Sequence, residues 1–423
     1  MLLALALAAI AWLYTDSSAQ AGWSAPYALA TCAAFTAPQI AFPSASPTDP
    51  TGAGAIVWLE SSDGCAGGSH SGAQDSPSLL VAWLGRDDRV TVTRRERLGT
   101  DLGANVLATG ANMGRVAVAV AGQKGGAAVL QGHAPQRPTT ATTLAQRSGT
   151  LALTRAYLGD VAVASVQAGP AIVVHVERFY RDSFGRPLRI PIAPGPISSL
   201  TLAMDYRSDV LVTWQQDGSI YAHMLRASGR PEPTQRVGAS APSPQLQALV
   251  SDDNRGVIAW SSSDVSRSSR PLTTVHLALA GTGVRFGGQR VIASFPDPDA
   301  EGRQPGSLGL VRLGDENVML AWTAVVGGRY AVLAAPVTFT GLRPAVRLTP
   351  PADQAVLAAL APSFGGDATA LWRRAGRNGS QLWATPTFIG GGDRLGAGAP
   401  EPVGQADAGV APVLAVDPAN GRA

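Results

Sequence analysis

Charge is scarce in this 423-residue chain: 15% of residues are Asp, Glu, Lys or Arg, while 45% are hydrophobic. Intrinsic disorder needs the opposite balance and is excluded for the bulk of the chain. Lysine is all but missing. Lys124 stands alone, so arginine carries nearly all the positive charge. With abundant Ala, Gly and Pro, this composition matches a GC-rich bacterial coding sequence. The net charge of +3 is small, and the densest basic run is "RRER" at Arg94–Arg97. A basic stripe interleaved with aromatic platforms is absent, which argues against nucleic acid as a partner. Long amphipathic runs of 3.6-residue period are also absent, so helix is expected to be nearly so. No H-E-x-x-H, paired Cys/His spacing, G-x-x-x-x-G-K-S/T or dinucleotide fingerprint occurs, and neither metal nor cofactor is expected.

Cysteine is limited to Cys32 and Cys65, with no C-x-x-C. Two cysteines in an exported chain fit one structural disulfide. It would close a loop of about 33 residues and stabilise by roughly 3–4 kcal/mol in chain-entropy terms. The longest uninterrupted apolar run is Leu2–Tyr14, too short to span a bilayer comfortably. It is followed by the small-residue site Ala19-Gln20-Ala21, the pattern of a signal peptide, although no Lys or Arg precedes the apolar core. Residues 1–21 are therefore read as a signal peptide, with an uncleaved anchor as the alternative. Residues 22–34 form an N-terminal segment. The chain is expected outside the cytoplasm, secreted or associated with the cell envelope, without a stable transmembrane span and as a monomer.

What the sequence has in plenty is repetition. "LTLAMDYRSDVLVTW" closes on Trp214, "LQALVSDDNRGVIAW" on Trp260, "LGLVRLGDENVMLAW" on Trp322 and "LAALAPSFGGDATALW" on Trp372. Degenerate copies close on Val120 and Ser165, and a first, short copy closes on Trp58. Each unit has one grammar: a short run, a turn rich in Asp, Asn and Gly, an apolar run with Trp, a turn such as Asp217-Gly218, a third run, and a polar fourth. Short β-branched runs between turn dipeptides are strands and hairpins. Four strands in a unit of roughly 45–60 residues are a β-propeller blade, since a lone four-stranded sheet cannot bury both faces. The expected fold is all-β: a propeller over residues 35–423 with seven four-stranded blades, six or eight being the alternatives. "PVLAVDPANGRA" (Pro412–Ala423) opens a further unit that is incomplete.

This pattern resembles secreted bacterial β-propeller repeat proteins. The resemblance covers about residues 35–423 and implies the architecture, not an activity. The Asp-box of sialidase-type propellers is not matched: "QQDGSIYA" shares only its Asp-Gly.

Candidate chemistry is thin. Asp205, Asp252, Asp253, Asp315, Glu316 and Asp367 occupy first turns, where Asp ordinarily hydrogen-bonds its own backbone. A glycosidase would need two of them facing one pocket. His175, His223 and His276 fall in the third strands of consecutive units and are the candidate ligand-facing residues, against the plainer reading of polar residues on a blade face. Trp58, Trp214, Trp260, Trp322 and Trp372 repeat at one position and read as packing between blades. "GSHSG" (Gly68–Gly72) has His where a nucleophile elbow needs Ser, and "DPDAEG" (Asp297–Gly302) is a weak echo of a calcium loop. No catalytic residue is assigned. The expected function is an exported, non-enzymatic binding or scaffold propeller whose ligand is a protein or glycan. The alternative is a propeller-type carbohydrate-active hydrolase or lyase.

Overall fold

The computed structural model describes residues 39–41, 54–60, 78–84, 90–95, 102–110, 115–122, 127–133 and 140–145, then 150–406 save connections between strands, and 414. Every described element is a strand. No helix among the described residues is long and apolar enough to cross a membrane.

The stretch around Trp214 shows the local logic. Ile197–Met204, Val210–Gln216, Ser219–Leu225 and Gln235–Ala239 pair antiparallel in chain order. Asp217 and Gly218 join the middle pair with φ of 47° and 69°. Two left-handed residues are what a two-residue turn needs to match strand twist. Gly327-Gly328, with φ of 62° and 77°, does the same between Asn317–Val326 and Arg329–Thr338. Val210–Gln216 is buried along its whole length, as a strand covered on both faces must be. In the outermost strand Gln235–Ala239 only Val237 is buried, and its polar residues protect the edge.

Among the described residues seven such sheets follow one another, and the first strand of each lies against the first strand of the next. That arrangement, with faces stacked between sheets, is a β-propeller. The expectation of seven four-stranded blades is nevertheless corrected. The third, sixth and seventh sheets have five strands, because two short segments share the outer position: Ser183–Phe184 with Leu188–Pro191, Gly341–Leu342 with Val346–Arg347, and Arg394–Ala397 with Glu401–Ala406. A ring of seven blades also needs seven inter-blade cores. The described residues form six, each between consecutive sheets. A further small cluster of Trp58, Leu80 and Ala82 with Ile56 belongs to the first sheet alone. Six blade-to-blade cores, not seven, is the number the packing supports.

Two devices lock neighbouring sheets. An innermost strand has unpaired backbone groups that must find partners. Gln245 and Gln247 supply them: both donate to the Leu308 carbonyl, at 3.0 and 3.1 Å, while their Oε1 atoms accept from Leu308 and Leu310 N–H. The second device is the tryptophan. Trp260 is completely buried and donates Nε1–H to the Ala239 carbonyl of the preceding sheet at 3.2 Å. Its ring lies over Gly238, where an added Cβ would stand 2.9 Å from Trp260 Cζ2 and 2.2 Å from Gln289 Oε1. Gly238→Ala is expected to cost about 2 kcal/mol, the ordinary range for overpacking. Urea denaturation checks it; an unchanged midpoint would mean that the ring has room to move.

Candidate functional site

The first turns build one rim. In three consecutive sheets the turn is the same: Ala156–Asp160, Asp205–Asp209 and Ser251–Arg255. In each, the first residue's N–H bonds the fifth residue's carbonyl, and the fourth residue's N–H bonds the first residue's carbonyl, at 2.8–3.2 Å. The fourth residue is left-handed: Gly159 at φ 98°, Ser208 at 65° and Asn254 at 63°. Glycine and asparagine suit that conformation, and serine tolerates it less well.

Asp205 shapes its own turn. Its Oδ1 accepts the N–H of Arg207 at 2.9 Å and of Asp209 at 2.8 Å. The residue is fully buried and its Oδ2 has no partner. Burial pushes its carboxyl up to about 6, against the opposing pull of the Asp209 N–H; the charges of Asp209 and Asp252 add to the rise.

Arginines tie the turns together. Arg178, at the end of Ala171–Arg178, pairs with Asp160 of its own sheet at 3.0 Å and reaches the Arg207 carbonyl of the next at 3.4 Å. Arg226, just past Ser219–Leu225, repeats this one sheet on. It pairs with Asp209 at 2.9 Å and Glu232 at 3.2 Å, and donates to Asn254 of the following sheet. Ser208, the left-handed residue of the fourth sheet, donates to Asp160 of the third. Arg312 of the sixth sheet holds Asp252 of the fifth through two N–H groups at 3.0 and 2.5 Å. The result is an ionic girdle from the third sheet to the sixth.

Tyr206 projects from this girdle. It is 38% exposed. The Arg207 guanidinium lies 5.1 Å from its ring centre and donates Nε–H to its hydroxyl at 2.7 Å. Its backbone N–H bonds Asp252 at 3.3 Å.

The residues singled out in the sequence fare differently. Asp252 is engaged with Arg312, and Asp253 with Arg255 at 2.6 Å. Burial raises the Asp367 carboxyl. Asp315, Glu316, Asp297–Gly302, Gly68–Gly72, Cys32 and Cys65 lie outside the described residues. Trp58, Trp214, Trp260, Trp322 and Trp372 are at most 3% exposed, and their strands run two to four residues beyond them. Across from three of these rings lies a stacking partner: Tyr221 on Trp214, His276 on Trp260 and Trp383 on Trp372, at 5.6, 5.0 and 5.7 Å.

The three histidines do not share one position. His175 and His223 stand opposite Val163 and Val212, but His276 stands opposite Trp260. His175 meets Phe184 edge-on, and His223 Nδ1 is 3.0 Å from Thr234 Oγ1. Burial pushes all three below the usual imidazole range. Among the described residues no group of three His, Cys, Asp or Glu is placed to hold a metal ion.

Sequence reading missed Arg178, Arg226 and Arg312, and with them Tyr206 and Arg207. A signal for two of them was present: "HVER" and "HMLR" place Arg three residues after His175 and His223.

No known family's sequence profile matches the chain, and no curated protein matches it. Among solved structures, a fucose-specific lectin from Aleuria aurantia is 13% identical; the match covers 73% of this chain and 99% of that one, with a TM-score of 0.37. SapL1 lectin in complex with α-methyl fucoside is 14% identical over 70% of this chain and 95% of that one, with a TM-score of 0.36. A puromycin hydrolase is 11% identical over 92% of this chain and 57% of its own, with a TM-score of 0.46.

Proposed function

We propose that this chain is an exported, non-enzymatic binding propeller that takes a glycan or protein at the rim of its first turns, around Tyr206 and Arg207. The supporting observation is the exposed Tyr206–Arg207 pair on a girdle of mutually satisfied charges. An aromatic face gives apolar contact at small entropic cost, and a guanidinium beside it supplies fixed donors. The girdle holds that pair in place before a ligand arrives, which spares ordering cost on binding. The hydrolase or lyase reading would need two reachable carboxylates around one pocket. Asp205 has no exposed surface, while Asp160, Asp209 and Asp252 are held by Arg178, Arg226 and Arg312.

A glycan array, paired with a polysaccharide-hydrolysis screen, tests the reading on the full chain. Tyr206→Ala is expected to weaken binding by about tenfold, in line with loss of an anchor aromatic, and to leave the unfolding midpoint within the small range of surface changes. Retained binding by that variant would move the site elsewhere. Turnover of any polysaccharide would replace this reading with the enzymatic one.

A further inference from the structure

The outermost strands carry a second repeated feature. In four sheets an arginine is followed by a buried apolar residue: Arg189-Ile190, Arg236-Val237, Arg347-Leu348 and Arg394-Leu395. Strand alternation turns the apolar residue into the inter-sheet core and the arginine away from it. Arg189, Arg236 and Arg394 are exposed, as is Arg290, which opens the outer strand of the fifth sheet. Charge on an edge strand hinders pairing with other chains, but either sign serves that purpose. Here one sign dominates: Glu401 of Glu401–Ala406 is the one acid in the outer strands of the third to seventh sheets. Leu188–Pro191, Gln235–Ala239, Arg290–Pro296, Val346–Arg347 and Arg394–Ala397 contain no acidic residue, in a chain with 30 acids to 33 bases. Acids gather instead at the first-turn rim, where Asp160, Asp209, Glu232 and Asp252 neutralise other arginines. Among the described residues, no ion pair joins Arg189, Arg236 or Arg394 to a carboxylate. Arg236 donates Nε–H to Ser219 Oγ at 3.0 Å, which leaves its charge uncompensated.

We infer that this belt of arginines on the outer circumference is a docking surface for an acidic polysaccharide, a polymer with a carboxylate on each sugar. A guanidinium meets a carboxylate through two parallel N–H groups. One such contact per sheet is weak, and several along a polymer add through effective concentration. Nucleic acid fits less well. Single strands are held by aromatic platforms set among the basic residues. The outer strands of the third to sixth sheets have two aromatic residues: Phe295, 2% exposed, and Phe184, which is partly buried against the neighbouring core and edge-on to His175. The inference rests on the reading of the chain as a binder and does not depend on the rim at Tyr206.

The test uses the full chain and three polymers: polygalacturonate, neutral dextran and duplex DNA. Polygalacturonate should bind at 50 mM salt and weaken by about tenfold at 300 mM, as screened charge pairs do; dextran should not bind. The triple variant Arg189→Gln/Arg236→Gln/Arg394→Gln should lose about tenfold in affinity from the lost multivalent contacts, at an unchanged unfolding midpoint. The triple variant should keep any ligand that the glycan array finds at the rim, which separates failure of the belt from failure of the rim. The inference is overturned by no binding, by binding indifferent to salt (a readout that needs no variant), by an unchanged triple variant, or by duplex DNA binding as tightly as polygalacturonate.

Discussion

Trp260→Ala should lower the stability of the chain by about 3–5 kcal/mol, the range for removing a large aromatic from a packed core. The ring is completely buried and belongs to the core between the fourth and fifth sheets, with Ile220, Met224, Val237 and Ile258. Its removal deletes three things at once. The cavity would lie where Gly238 leaves room for the ring. The Ala239 carbonyl would lose its donor. His276, stacked at 5.0 Å and nearly parallel, would lose its partner. The contributions separate experimentally. Trp260→Phe keeps much of the volume and loses the hydrogen bond, worth about 1 kcal/mol in a typical net balance. His276→Ala keeps the ring and loses the stack, again about 1 kcal/mol. Urea titrations of the three variants should rank them with Trp260→Ala far below the others. Near-equal midpoints would mean that the sheets close over the missing ring.

The same clamp recurs by another route two interfaces further round, between the sixth and seventh sheets. Trp372 donates to Thr385 Oγ1 at 2.9 Å, and Thr385 passes the bond to the Leu348 carbonyl of the preceding sheet at 3.1 Å. In both cases an indole secures the outer strand of the sheet before it. The tryptophans thus set the spacing between sheets, and the first turns, which the arginines join, inherit that spacing. A rim built in this way carries function only as well as the cores beneath it hold their register.

Much of this was legible in the sequence. The recurrence of Trp214, Trp260, Trp322 and Trp372, with turns such as Asp217-Gly218 and Gly327-Gly328 at fixed places, is a local pattern, and strand and hairpin formation is a local matter. The blade number was not legible. Counting repeats counts sheets, whereas a ring is defined by the cores between them, and those depend on which faces meet. The histidines' surroundings were not legible for a related reason. His175, His223 and His276 each fall in the third strand of a sheet, but register decides their neighbours, and His276 falls opposite Trp260 while His223 falls opposite Val212. The girdle was invisible because its partners are far apart in the chain. Arg226 and Asn254 are 28 residues apart, and Arg312 and Asp252 are 60. Asp205 was seen as a turn residue, which it is. Its burial, and the orphan oxygen that burial creates, follow from the neighbouring sheets alone.

Asp205→Asn should stabilise the chain at neutral pH and flatten its pH dependence between about 4 and 6. The carboxyl ordinarily titrates at 3.8, and burial raises it to about 6 in the folded chain. The sign follows from proton binding. Between these values the folded state holds a proton that the unfolded state has released, so stability falls as pH rises through this window. Above pH 6 both states are ionised and the folded chain bears the full cost of a buried charge with one unpartnered oxygen. Two pKa units correspond to about 3 kcal/mol. Below pH 4 both states are protonated and the group is neutral in its effect. Asparagine keeps the Oδ1 that accepts from Arg207 and Asp209, so the turn is preserved, and it removes the charge that Asp209 and Asp252 oppose. Its amide adds a buried donor, which reduces the gain. The expectation is therefore a stabilisation of up to about 2 kcal/mol at pH 7.5, after a cost of at least about 1 kcal/mol for the unpaired buried donor, and little difference from the parent at pH 4. Urea titrations of parent and variant at both pH values measure it as a difference of differences, which cancels the other titrating groups. An equal offset at the two pH values would mean that Asp205 is ionised in the folded chain throughout, and that its second oxygen is solvated after all.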